Sequence, residues 1–173
     1  MAKIMAKDLL ELLAGNDLRS LGKSSDIISL IGDQKTFDEL FIHLYNQNRA
    51  IVMKTIDVIE KITLKNKEYL QKHKSEILKI SKNVENIELK WHLAQILARI
   101  KYANDEMEIV WKTLKQWILN KGESKIVLVN SLQSLYEIVK ENNKYENDMN
   151  NVLKIIKQEN IASINARIKK LGL

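Results

Sequence analysis

The sequence predicts an all-α fold, a stack of antiparallel helix pairs forming one domain over residues 1–173. Three observations predict it. The chain has no proline and only five glycines, with none between Gly32 and Gly122. Apolar residues recur at helical spacing in segments of about 12–18 residues, a normal helix length. The apolar register then repeats every 38 residues. A β protein would need many Gly or Pro turns, and a doubly wound α/β protein would need Gly-rich loops after β-branched runs. Neither pattern is present. Asparagine punctuates the chain instead, at Asn46, Asn48, Asn66, Asn83, Asn86, Asn104, Asn120, Asn142, Asn143 and Asn160. Asn tolerates the left-handed backbone and caps helices, so it can end one helix and start the next.

The elements follow in order. MAKIMAKDLLELLAG has charges on both sides of a short apolar set and predicts an amphipathic helix over 4–14, closed by Gly15, rather than a signal peptide. A short helix near 25–31 has Ser24 or Ser25 as its expected N-cap and Gly32 after it. These two cap the stack over residues 1–32. Helices over 34–46, 49–63, 67–82, 87–101, 105–119 and 124–141 form three pairs spanning residues 33–140. Helices over 145–158 and 161–171 make a closing pair within residues 141–173, which ends in RIKKLGL, a basic last turn with a Gly cap.

Alignment of NRAIVMKTIDVIEKI (48–62), NIELKWHLAQILARI (86–100) and SKIVLVNSLQSLYEI (124–138) places Asp57, Gln95 and Gln133 in one column, 38 residues apart at each step and without a gap. Ile59, Leu97 and Leu135 share a column, as do Ile62, Ile100 and Ile138. Identity is low; what repeats is apolar character in register. One helix pair cannot bury its apolar face alone, and stacking neighbours on both sides buries it. Two helices per unit at this period are the signature of an α-solenoid.

In the second helix of the middle unit, apolar residues cover most of the circumference. The remaining polar positions are 88, 92, 95 and 99, whose spacing of 4, 3 and 4 places them on one face. The candidate binding stripe runs through Lys54, Asp57 and Lys61 in one unit, His92, Gln95 and Arg99 in the next, and Asn130 and Gln133 in the third. On this register His92 stands on the wall and Trp91 points into the stack. Two plainer readings stay open. The stripe is the strip of a buried helix that touches water, or Asp57, Gln95 and Gln133 hydrogen-bond to the adjacent unit.

The strings IVMKTIDVIEKI, ELKWHLAQILARI and IVLVNSLQSLYEI, with the 38-residue period, resemble the HEAT-repeat family of α-solenoids. The resemblance covers residues 33–140 well and the ends loosely. Asn48, Asn86 and Ser124 hold the inter-helix turn positions, and Ile51, Leu89 and Val127 the aliphatic position. The family's basic position is Lys54, then His92, then Asn130, and the proline common in the first helix is absent, which marks a divergent pattern. The resemblance implies a HEAT/ARM-like right-handed superhelix that binds other macromolecules, generally proteins, without chemistry of its own.

No catalytic or metal-binding pattern stands out. His43, His73 and His92 are 30 and 19 residues apart, with no His-x-x-x-His pair for zinc. Glu39/His43 and Glu88/His92 miss the i, i+3 spacing of di-iron bundles. There is no Gly-x-Ser-x-Gly, phosphate loop or dinucleotide fingerprint, so no cofactor is called for. The absence of cysteine excludes thiolate ligands and disulfides. The net charge of +6 points weakly to nucleic acid, because only four of the 28 basic residues are arginine, the better bidentate phosphate ligand. The expected function is a non-enzymatic protein-binding scaffold, monomeric or weakly dimeric, cytoplasmic, with no membrane span. The alternative is a nucleic-acid-binding HEAT-like protein, such as a DNA glycosylase acting on alkylated bases. That reading asks for aromatic and acidic residues on the wall beside a basic track. Of Trp111 and Trp117, at least one is expected in the core.

Overall fold

A computed structural model describes residues 6–14 and 21–173. Among them the chain is all-helical, with ten α-helices, short 3₁₀ turns and no strand. The helices are α1 Ala6–Ala14, α2 Leu21–Leu30, α3 Gln34–Phe41, α4 Arg49–Ile62, α5 Lys74–Asn83, α6 Ile87–Leu97, α7 Asn104–Leu119, α8 Lys125–Glu141, α9 Glu146–Gln158 and α10 Ala162–Leu171. The expected stop at Gly15 lies outside the described residues. The chain gathers into two compact units, Met1–Lys72 and His73–Leu173.

Part of the asparagine punctuation is realised as caps. Asn48 precedes α4 and accepts from Ala50 N at 2.9 Å; Asn86 precedes α6 and accepts from Leu89 N at 3.0 Å. Each satisfies one backbone donor that a helix start leaves without a partner. Asn160, between α9 and α10, has φ of 49°, a left-handed conformation that Asn tolerates better than most residues. Gly172 closes α10 at φ of 71°, donating to Ile168 O and Lys169 O. Ser24 and Ser25 are not an N-cap, because α2 already starts at Leu21.

Two expected helices change winding. The helix over 34–46 is α as far as Phe41 and 3₁₀ over Ile42–Tyr45. A 3₁₀ turn aligns residues three apart. Leu44 is therefore buried in line with Phe41, while Ile42 and Tyr45 are exposed together. The helix over 67–82 is 3₁₀ over Lys67–His73 and α only from Lys74. Leu70 and His73, three apart, are the buried positions of that turn.

In the first unit α4 lies against α1, α2 and α3, and its buried face carries Ile51, Ile56 and Ile59. Phe37, Leu40 and Phe41 of α3 complete that core. In the second unit α5 touches α7 and α7 touches α9, while α6 touches α8 and α8 touches α10. The two series meet where α7 lies along α8, and its core includes Leu93, Leu97, Trp111, Leu114, Leu132 and Leu135.

Within each unit, side chains bond to residues 32 to 40 positions away. Asn130 Nδ2 donates to Trp91 O at 3.5 Å, and Ser134 Oγ donates to Ala94 O at 2.5 Å. Both pairs advance together, so α6 and α8 run in the same direction, offset by about one repeat.

Candidate functional site

The eight stripe residues fall in the two units, three in the first and five in the second. In the first, Lys54, Asp57 and Lys61 all lie half-buried on α4. Asp57 Oδ2 accepts from Lys61 Nζ at 2.6 Å and from Ser24 Oγ of α2 at 3.4 Å. Asp57 is therefore turned toward its own fold.

In the second unit, His92 is not on an open wall. It is only 8% exposed, and its ring lies against Trp91 with centroids 5.1 Å apart. Trp91, expected inside, is the half-exposed member of the pair. The physical reason is the offset between α6 and α8. The Asn130 side chain reaches the Trp91 carbonyl and Ser134 reaches the Ala94 carbonyl, so α8 packs along α6 where an open wall was expected. Gln95 and Arg99 remain half-exposed. Gln133 Nε2 donates to Glu137 Oε1 at 2.8 Å, and its Oε1 accepts from Arg167 Nη1 of α10 at 2.7 Å. For Asp57 and Gln133, hydrogen bonding to a neighbouring helix is thus what the structure displays.

The exposed apolar surface beside Gln95 and Arg99 went unread in the sequence. Ile87, one turn before Trp91 on α6, is 50% exposed, and Ile126, one turn before Asn130 on α8, is 40% exposed. Ile87 and Trp91 lie one turn apart on α6, and Ile126 lies one turn before Asn130, whose side chain meets the Trp91 carbonyl. The alignment hid this surface because Ile126 shares its column with Glu88, so the column reads as polar.

The other two tryptophans are both core. Trp111 stacks on Tyr145, with centroids 4.4 Å apart and an interplanar angle of 21°. Its indole Nε1 donates to Asp148 Oδ2 at 2.7 Å, and Lys115 Nζ binds both oxygens of the same carboxylate. The ammonium of Lys115, then the Trp111 N–H, hold the Asp148 carboxyl below the usual carboxylate range. Tyr145 OH donates to Glu108 Oε2 at 3.2 Å. These groups tie α9 to α7 with their polar atoms already engaged.

A polar pocket of about 220 Å³ opens where α5 ends, α6 begins and α7 ends. Lys90, Trp117 and Glu123 are among its lining residues. Lys90 Nζ and Glu123 Oε2 are 2.7 Å apart, with their side chains only 14% and 5% exposed. Lys90 also stands 5.8 Å above the Trp117 ring. Sequence reading offered no signal for this group. Its members come from three helices and a loop, and none is repeated in register.

Among the described residues, no group of three or more His, Asp or Glu side chains is placed to hold a metal ion. No helix among them is long and apolar enough to cross a membrane. Burial lowers the pKa of His43, and His73 faces Glu76 across 3.8 Å. No protein-family model, curated protein or solved structure matches the chain.

Proposed function

We propose that the chain is a HEAT-like α-solenoid whose work is to bind another protein, without chemistry of its own. The observation that carries this reading is the paired hydrogen bonding from Asn130 to Trp91 and from Ser134 to Ala94. Equivalent helices placed side by side in one direction build an extended wall, which is the surface such repeats use for binding. The anchors on that wall are Ile87, Trp91 and Ile126, flanked by Gln95 and Arg99. A central aromatic with a polar and Arg-bearing rim is the composition that dominates interface energetics. His92 is buried beside Trp91, Gln133 is held by Glu137 and Arg167, and Asp57 and Lys61 pair with each other. The nucleic-acid alternative would draw on exposed aromatics, and Trp91 is the one tryptophan with exposed surface.

Affinity capture with the full chain tests this reading. Trp91→Ser should abolish recovery of the partner, with the thermal midpoint nearly unchanged. Lys154→Ser, at an exposed position of α9, should leave recovery intact. Equal recovery by all three proteins would remove the wall from the account. Salt-sensitive retention on duplex DNA would instead favour the nucleic-acid alternative.

A further inference from the structure

The polar pocket of the second unit has a chemistry of its own, independent of the proposed wall. Its one acidic group is already engaged through both oxygens: Glu123 Oε2 takes Lys90 Nζ at 2.7 Å, and Oε1 takes the Ser124 N–H at 3.0 Å. The donors are not saturated. Lys90 gives one of its three protons to Glu123, leaving two. Lys82 forms no ion pair, and the Gln116 amide forms no hydrogen bond, among the described residues. Asn120 accepts the Gly122 N–H through Oδ1 at 3.1 Å, which leaves its Nδ2 as a donor.

The formal charge of the lining is positive: two lysines against one glutamate. A cation is therefore disfavoured, and so is a wholly apolar molecule, which would strand these donors without partners. The hydroxyls of Ser81 and Thr113 are donated to Leu78 O and Ile109 O, so they offer the pocket lone pairs only. A guest that satisfies this set carries an oxyanion with several acceptor oxygens at one end and hydroxyl donors at the other. The volume of about 220 Å³ lies below the range of roughly 300–1,000 Å³ usual for drug-sized ligands, so the guest is small.

We propose that this pocket binds a small hydroxylated phosphate monoester. The phosphate sits between Lys82 and Lys90 with the amides of Gln116 and Asn120, and the organic part lies toward Ser81 and Thr113. Lysine is an established phosphate ligand as a point charge. Trp117, on the pocket wall beneath Lys90, makes occupancy visible in fluorescence.

The test is thermal unfolding and tryptophan emission of the full chain with glycerol 3-phosphate, with succinate as a dicarboxylate of similar size, and with chloride at equal ionic strength. Glycerol 3-phosphate should raise the unfolding midpoint in a saturable way, beyond both controls. Lys82→Ala and Gln116→Ala remove exposed groups without protein partners, so their ligand-free midpoints should match the parent. Loss of a charge-assisted hydrogen bond at Lys82 should raise the half-saturating concentration about tenfold or more. Three outcomes overturn the proposal: no response beyond chloride, an equal response to succinate, or an effect of glycerol 3-phosphate that both variants leave unchanged.

Discussion

Asp148 accepts the Trp111 indole N–H at 2.7 Å and the Lys115 ammonium at 2.6 and 2.8 Å, so one carboxylate holds α9 against α7 through two residues one helical turn apart. Removing it would strand a buried indole donor. Asp148→Ala should cost about 1–3 kcal/mol, whereas Asp148→Asn keeps an acceptor for the indole and should cost about 1 kcal/mol or less. The pH dependence has a definite sign. The folded carboxyl titrates below its ordinary value of 3.8, so its stabilising contribution is complete above that value and is lost as pH falls through the folded pKa. The parent should lose more stability than Asp148→Asn between about pH 5 and pH 2, measured by urea unfolding at each pH. Equal losses would show that Asp148 contributes no acid sensitivity. None of this was legible in the sequence, since Lys115 and Asp148 lie 33 residues apart on different helices and no local spacing pairs them.

Whole helices were far more legible than single contacts. Seven of the ten start within one residue of their expected positions, because apolar periodicity, with asparagine caps at α4 and α6, is a local signal. The misses also have local causes. The 3₁₀ windings at Ile42–Tyr45 and Lys67–His73 follow burial of residues three apart, which a helical template reads as ordinary apolar positions. The inversion of Trp91 and His92 came from the offset between α6 and α8, which periodicity within one helix does not contain. Two serines on α8 test that packing. Ser134 is buried and donates to Ala94 O of α6; Ser131 is equally buried, and its Oγ has no hydrogen-bond partner. Ser134→Ala should destabilise by about 1 kcal/mol. Ser131→Ala removes an unsatisfied hydroxyl and gains helix propensity, so it should be neutral or stabilising by up to about 1 kcal/mol. Urea unfolding followed by tryptophan fluorescence compares them directly. Equal effects would mean that the α6–α8 hydrogen bond contributes nothing to stability.

At the scale of the molecule, the 38-residue register predicts that stability is carried locally, by each helix and the helices it touches, rather than by one core shared along the chain. The two compact units sharpen this into an experiment. All three tryptophans, Trp91, Trp111 and Trp117, lie in the unit His73–Leu173, so fluorescence reports that unit alone, while far-ultraviolet dichroism reports the helices of both. Leu132 is fully buried in α8 and Ile56 is buried in α4, and truncation of either to Ala should cost about 2–5 kcal/mol. Leu132→Ala should move the fluorescence transition to lower denaturant and leave a dichroism phase from the first unit in place. Ile56→Ala should shift part of the dichroism change while the fluorescence midpoint stays near that of the parent. The pairing of variant and probe separates local stability from global cooperativity, because a single cooperative core would move both signals together for both substitutions. Coincident transitions in all three proteins would therefore exclude a nearest-neighbour account of the fold, and with it the repeat architecture on which the proposed binding wall rests.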